Sequence, residues 1–178
     1  MILFINGAFG VGKTTVAELL VKRIPNSLLY DAEEVGYFLQ KILKPIDNPD
    51  DFQHLPMWRT LTVTTAQLLR LTYGRTLIMP MTIWHEPYFH EVMTGLRQVE
   101  PHLFHLCLTA TAKTIRKRLR GRLMMPKAYA WCLQRVGPCV TAFQSPAFAI
   151  QIATDEKTPD ELVAEILSLL HKQDMTEI

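Results

Sequence analysis

The strongest constraint in this sequence is a short apolar run that stops at a glycine-rich octet. Residues 7–14 read Gly-Ala-Phe-Gly-Val-Gly-Lys-Thr, a full match to G-x-x-x-x-G-K-[ST]. The run before it, Met1–Ile5, has the composition of a buried parallel strand. After it, Val16, Leu19, Leu20 and Ile24 fall at helical spacing, and the helix stops before Pro25. Glycines let backbone N–H groups approach phosphate oxygens without a Cβ in the way. The helix start presents its positive end to the same anion. The expected nucleotide contacts are Gly7, Gly10, Val11, Gly12, Lys13, Thr14 and Thr15. Lys13 supplies a point charge to the β and γ phosphates, and the Thr14 hydroxyl is the expected Mg²⁺ contact. The octet therefore predicts a bound triphosphate, read as ATP, with Mg²⁺.

The chain has 178 residues, which fits one domain, and 48% of them are apolar, enough for one sizeable core. A net charge of +2 gives no strong field toward nucleic acid or an anionic membrane. Cys107, Cys132 and Cys139 are odd in number and have no Cys-x-x-Cys spacing, which predicts a reducing, cytoplasmic setting. The N-terminal apolar run has no basic region before it and is too short for a secretory signal. No apolar stretch reaches the roughly 18–20 residues that span a bilayer.

Strands are expected at Met1–Ile5, Ser27–Tyr30, Thr76–Met81, Leu103–Leu108 and Phe148–Ile152. Helices are expected over Thr14–Ile24, Glu33–Leu43, Met57–Tyr73, Pro87–Val99, Lys113–Arg122 and Lys127–Phe143. A last helix starts at the Thr158-Pro159-Asp160-Glu161 capping box. Residues 45–56, rich in proline and aspartate, read as a loop or small insertion. Strands alternating with helices imply right-handed crossovers and a parallel sheet. The fold class is three-layer α/β, a P-loop NTP hydrolase or nucleoside-kinase-like fold on a five-stranded parallel sheet. Its ligands belong beyond the carboxyl ends of the strands.

The chain carries no Asn-Lys-x-Asp stretch to read guanine. It also has no aspartate ending the third strand, where motor ATPases hold Mg²⁺. The small-molecule and nucleoside kinase branch is left. Asp31 and Glu33 follow the second strand, whose end should lie beside the glycine loop. A carboxylate there can orient or deprotonate an attacking hydroxyl; the alternative for Asp31 is a helix N-cap, and the two roles are compatible. Lys113, Arg116, Lys117, Arg118, Arg120 and Arg122 crowd ten positions, as a solvated helix face also would. Arg118 and Arg122 are four apart, on one helix face. This resembles the Arg-x-x-x-Arg element of adenylate-kinase-like enzymes, which implies Arg118 on adenine and Arg122 on the phosphates. A guanidinium plane stacks and its fork grips oxyanions.

Several further stretches are distinctive: Ile5-Asn6-Gly7-Ala8-Phe9-Gly10, Asp31-Ala32-Glu33-Glu34-Val35-Gly36, Asp51-Phe52-Gln53, Pro56-Met57-Trp58-Arg59 and Leu77-Ile78-Met79-Pro80-Met81-Thr82-Ile83. Together with Lys117–Arg122 they cover most of the chain in order, and on them the chain resembles the tunicamycin resistance proteins. The resemblance implies ATP binding and protection against a lipid-bearing nucleoside antibiotic. Phosphorylation of a drug hydroxyl and ATP-dependent sequestration of the drug are both compatible with it, as is a housekeeping nucleoside or sugar kinase.

The acceptor side is expected at about 36–75, with a lid at about 120–130 and hinges at Gly36, Gly74 and Gly121. Phe52, Gln53, Trp58, Arg59 and Thr82 are the substrate-binding candidates, with His54, Trp84 and His85 nearby. Aromatic rings can stack on a base or take an acyl chain, and Gln53 can read an amide edge. In the kinase reading Lys13, Asp31 and Arg122 are the catalytic residues. The expected partner is a tunicamycin-like nucleoside, not nucleic acid. Peripheral membrane contact stays open, and oligomeric state is not set by the sequence.

Overall fold

The computed structural model describes residues 1–148 and 150–176. Among them, five parallel strands form one sheet in the order β2-β3-β1-β4-β5. The strands are β1 (Ile2–Gly7), β2 (Ser27–Leu29), β3 (Thr76–Pro80), β4 (Leu103–Thr109) and β5 (Gln151–Ala153). The helices are α1 (Lys13–Arg23), α2 (Ala32–Leu43), α3 (Pro56–Tyr73), α4 (Glu86–Val99), α5 (Ala112–Arg120), α6 (Pro126–Ala142) and α7 (Pro159–Thr176).

Alternation along β1 builds the layers. Successive side chains of a strand point to opposite faces. Leu3 and Ile5 pack with Val16 and Leu20 of α1 and with Val163 and Ile166 of α7. Ile2 and Phe4 pack with Trp58 of α3, Phe89 of α4 and Val136 of α6. Both faces of β1 are thus buried, which is why it reads as continuous apolar residues rather than as alternation. The capping box at α7 is present: Thr158 Oγ1 accepts from Glu161 N–H at 3.3 Å, and Glu161 Oε2 accepts from Thr158 N–H at 2.7 Å.

Four expectations change. First, β3 lies between β1 and β2, so the end of β2 is one strand away from the glycine loop. A second sheet neighbour for β1 is thereby supplied from residue 76 onward, a long-range pairing that local pattern does not encode. Second, the last strand forms at Gln151–Ala153, not at 148–152. Phe148 instead sits in a 3₁₀ turn, Pro146–Phe148, where its ring meets Phe89 and Phe143, each at 4.9 Å. Ala149, inside the expected strand, lies outside the described residues. Third, α5 ends at Arg120 with Gly121 as its C-cap, so Arg122 is beyond the helix and does not share a helix face with Arg118. Fourth, Gly36 is not a hinge. It lies inside α2, and a Cβ there would stand 2.4 Å from Phe52 Cγ. Its lack of a side chain admits the Phe52 ring against the helix, a close approach rather than a freedom of motion.

Candidate active site

The carboxyl ends of β1, β2 and β3 open into a cavity of about 1210 Å³. One end of it is formed by the loop between β1 and α1. Gly7 there has φ 143°, and a Cβ would stand 2.4 Å from the Leu108 carbonyl oxygen, so the approach of β1 to β4 requires glycine. Asn6 fastens the loop to the segment after β3. Its Oδ1 accepts from Gly7 N–H and Ile83 N–H, each at 2.9 Å, and its Nδ2 donates to Ile83 O at 2.9 Å. Asn6 is fully buried, so these bonds satisfy groups that water cannot reach.

Lys13 is buried at the centre of this end. Its Nζ donates to Gly7 O at 2.9 Å, Ala8 O at 3.0 Å and Thr82 Oγ1 at 2.7 Å. All three ammonium donors are therefore used. Burial pulls its pKa from an ordinary 10.5 down to about 8, and Glu33 is the strongest of the charges that oppose this fall. Gly10, Val11, Gly12, Thr14 and Thr15 line the same end of the cavity. No group of three or more His, Cys, Asp or Glu side chains among the described residues could hold a metal ion. A Mg²⁺ ion here would then rest on the Thr14 hydroxyl and on ligand phosphates, the usual way a nucleotide brings its magnesium.

Arg118 bridges the loop to the sheet's far edge. Its guanidinium donates to Val11 O at 3.1 Å, Thr154 Oγ1 at 2.8 Å and Thr154 O at 2.7 Å. Arg122 lies on the exposed turn after α5 and lines the cavity, close enough to Lys13 and Glu33 to affect both electrostatically. Arg120 is exposed and is not among the lining residues.

The carboxylates come from the start of α2. Asp31 is its N-cap: Oδ1 accepts from Glu33 N–H at 2.9 Å, and the residue also lines the cavity. Glu33 lines it too, and burial pushes its pKa up against the opposing pull of Lys13. Tyr37, one turn on, donates from Oη to Glu33 Oε2 at 3.2 Å. Glu33 thus helps keep Lys13 charged. Above about pH 8 the empty protein's Lys13 is neutral, and phosphate binding then requires proton uptake. Glu33→Gln should therefore move the alkaline loss of Mg-ATP affinity to lower pH, measured by calorimetry across pH. The midpoint is the readout, because losing a carboxylate also relieves repulsion of phosphate.

The expected acceptor residues divide into two groups. Phe52, Gln53 and Thr82 line the cavity. Gln53 is already engaged, its Nε2 donating to Thr82 O at 2.7 Å. Trp58 and Arg59 are not brought to the cavity. Trp58 is fully buried in the core, with its Nε1 donating to Ala32 O at 3.0 Å. Arg59 pairs with Glu91 at 2.6 Å, holds Gln53 O at 2.7 Å and lies 4.3 Å from the Tyr88 ring centroid. It supports Gln53 rather than lining the cavity. His54, Trp84 and His85 are also absent from the lining, and His54 Nδ1 sits 3.1 Å from Tyr88 Oη.

No family model and no curated protein matches the sequence. Among solved structures the chain is similar to the Deinococcus radiodurans tunicamycin resistance protein. Identity is 24% and the TM-score 0.79, over 96% of this chain and 95% of that one. A gluconokinase from Sinorhizobium meliloti aligns at 16% identity and TM-score 0.63, over 96% and 91% of the two chains. A shikimate kinase from Acinetobacter baumannii, solved with shikimate, aligns at 13% identity and TM-score 0.61, over 97% and 93%. The fold is that of the P-loop kinases. The resemblance read in the sequence thus has its structural counterpart in the first of these.

In this P-loop kinase fold several lining residues carry no sequence signal of their own. Phe9 and Trp131 meet edge to face with centroids 5.1 Å apart. Arg135 lies 3.9 Å from the Trp131 ring centroid and pairs with Asp50 at 2.6 Å, joining α6 to the loop after α2. Met124 and Met125 complete that wall. Only the helical spacing of Trp131 and Arg135, four apart, was available to suggest a stacked pair.

Proposed function

We propose that this protein is an ATP-dependent kinase that phosphorylates a hydroxyl of a nucleoside-type small molecule, tunicamycin or a relative. The observation that carries the reading is the shared cavity. Lys13 and Arg122, two cationic groups, and Asp31 and Glu33, two carboxylates, line one space together with a separate acceptor wall. Phosphoryl transfer needs little covalent work from a protein and much positioning and charge stabilisation. The acceptor oxygen forms a bond to the γ-phosphorus as the bond to the β–γ bridging oxygen breaks, and ADP leaves. Asp31 orients the acceptor and takes its proton. Lys13 and Arg122 face the charge that builds on the transferring group. Mg²⁺, when bound with ATP through Thr14, neutralises the phosphates. Arg118, next to Val11 and Thr154, is assigned to the nucleotide side.

Acceptor recognition is assigned to the region at about 36–75, through Phe52, Gln53 and the neighbouring Thr82. Closure is assigned to about 120–130, where Arg122 and the methionines lie. The whole chain works as one domain. Buried, free Cys107, Cys132 and Cys139 support a reducing, cytoplasmic setting, and no helix among the described residues is long and apolar enough to cross a membrane. The deciding experiment is incubation with Mg-ATP and tunicamycin followed by mass spectrometry of the drug. A phosphate-sized mass gain is expected. Its absence under conditions where both ligands bind would leave ATP-dependent capture without chemistry as the surviving reading.

A further inference from the structure

Trp58 and Trp131 are held in place in different ways. Trp58 is fully buried, and its Nε1 donates to Ala32 O at 3.0 Å. Trp131 Nε1 is also buried, yet it has no hydrogen-bond partner among the described residues. A buried indole usually finds an acceptor, and leaving its donor unpaired is costly. The orientation of Trp131 therefore rests on what its ring touches.

Phe9 of the glycine loop meets the indole with centroids 5.1 Å apart and planes at 75°. The Arg135 guanidinium, one turn further along α6, lies 3.9 Å from the indole centroid, a stacked cation on an aromatic face. Arg135 is in turn held from outside α6, its Nη2 donating to Asp50 Oδ2 at 2.6 Å. Asp50 stands on an anchored loop: Gln40 Nε2 donates to Pro49 O at 3.0 Å, and Asp51 Oδ1 accepts from Gln53 N–H at 2.9 Å. The contacts Asp50–Arg135–Trp131–Phe9 thus run unbroken from the loop after α2, across α6, to the glycine loop. Phe9 lies between Gly7 and Gly10, both at positive φ. Glycines give that backbone little stiffness of its own, so what grips Phe9 from outside matters to its shape.

We infer that Arg135 is a positioning residue for the glycine loop: it holds Trp131 against Phe9 and so fixes the backbone that receives the triphosphate. Arg135 does not line the cavity. Its charge is paired with Asp50, so it offers little to a phosphate directly. An effect of Arg135 on nucleotide binding then has to pass through the indole. The same contacts join two sides of the site. Asp50 immediately precedes Asp51-Phe52-Gln53, so the segment that brings Phe52 and Gln53 to the cavity is tied to the glycine loop. The inference rests on the reading of that loop as a nucleotide site.

The test is a double-mutant cycle read by calorimetry with Mg-ATP. Arg135→Met keeps much of the side chain's length and removes the guanidinium plane and its charge. Mg-ATP Kd should rise roughly two- to tenfold, the range set by a partly buried cation–π contact. In a Trp131→Leu background the same substitution should change Kd little, because the contact it acts through is gone. Phe9→Leu closes the same cycle if Trp131→Leu melts too low to assay. Acrylamide quenching of tryptophan emission, with Trp131→Phe identifying the Trp131 component, reads the ring without nucleotide. Quenching of that component should rise in Arg135→Met. An unchanged Kd in Arg135→Met would overturn the inference, as would unchanged quenching. So would a loss of affinity just as large in the Trp131→Leu background, the result expected of a charge acting at a distance. A parent protein that does not bind Mg-ATP would sink the nucleotide reading, and the quenching result would still decide whether Arg135 holds Trp131.

Discussion

Lys13→Met is expected to slow phosphotransfer by orders of magnitude and, at the same time, to raise the stability of the ligand-free protein. The two effects have one cause. Lys13 is buried with its charge, and burial is the chief reason its pKa falls from 10.5 to about 8. A depression of that size corresponds to about 3 kcal/mol against the charged form in the folded state. The sign follows from proton counting: between pH 8 and 10.5 the unfolded chain binds the proton and the folded one does not, so stability rises with pH through that window. Below about pH 8 the full penalty is present. Methionine keeps similar length and removes the charge. The Gly7 and Ala8 carbonyls then lose a donor, which offsets part of the gain. The net is a gain of about 1–2 kcal/mol, or ~2–8 °C in Tm. Transfer should fall by roughly 10²–10³, the loss seen when one preorganised charge-stabilising group is removed. Melting curves at pH 7 and across pH 8–10.5 check the first effect: the variant should lack the alkaline rise of the parent. A variant with normal transfer, or one that melts lower than the parent, contradicts the role given to Lys13.

Asp31→Asn separates chemistry from capping. Asparagine caps a helix about as well as aspartate, and its amide oxygen can still accept from Glu33 N–H, so α2 should keep its start. What is lost is a carboxylate able to take a proton. Transfer should fall by roughly 10²–10⁴, the usual contribution of a positioned general base, while Mg-ATP affinity changes little. Protection of cells against tunicamycin should fall with it. If transfer is lost and protection persists, the protein protects by holding the drug. A large loss of ATP affinity would instead mean that Asp31 acts through the fold of α2 and not on the acceptor.

Much of the glycine-loop end was legible because it is local. The glycine loop needs its residue types at fixed offsets, and the strand before it and the helix after it have periods readable within a dozen residues. Gly7, Lys13, Thr14 and the Thr158 cap follow from chemistry between near neighbours. The acceptor half was less legible because its members are far apart in sequence. Phe52, Gln53 and Thr82 reach the cavity, whereas Trp58 and Arg59, from the same motif-like stretch, turn to the core and to Glu91. Three residues separate Phe52 from the start of α3, and the register of that helix decides which side chains face the cavity. Nothing in residue type distinguishes an aromatic that lines a cavity from one that fills a core.

Local pattern by itself accounts for the strand, the glycine loop and the helix that carries Lys13, each required by backbone geometry within one short segment. Where everything else stands relative to it depends on long-range packing. The pairing of β3 between β1 and β2 brings Thr82 to Lys13 and Gln53 to Thr82. The end of α5 at Gly121 releases Arg122 from its helix onto the cavity edge. The packing of α6 brings Trp131 against Phe9. These are long-range pairings, each favourable only once the sheet and its covering helices have assembled, and a linear pattern carries no record of them.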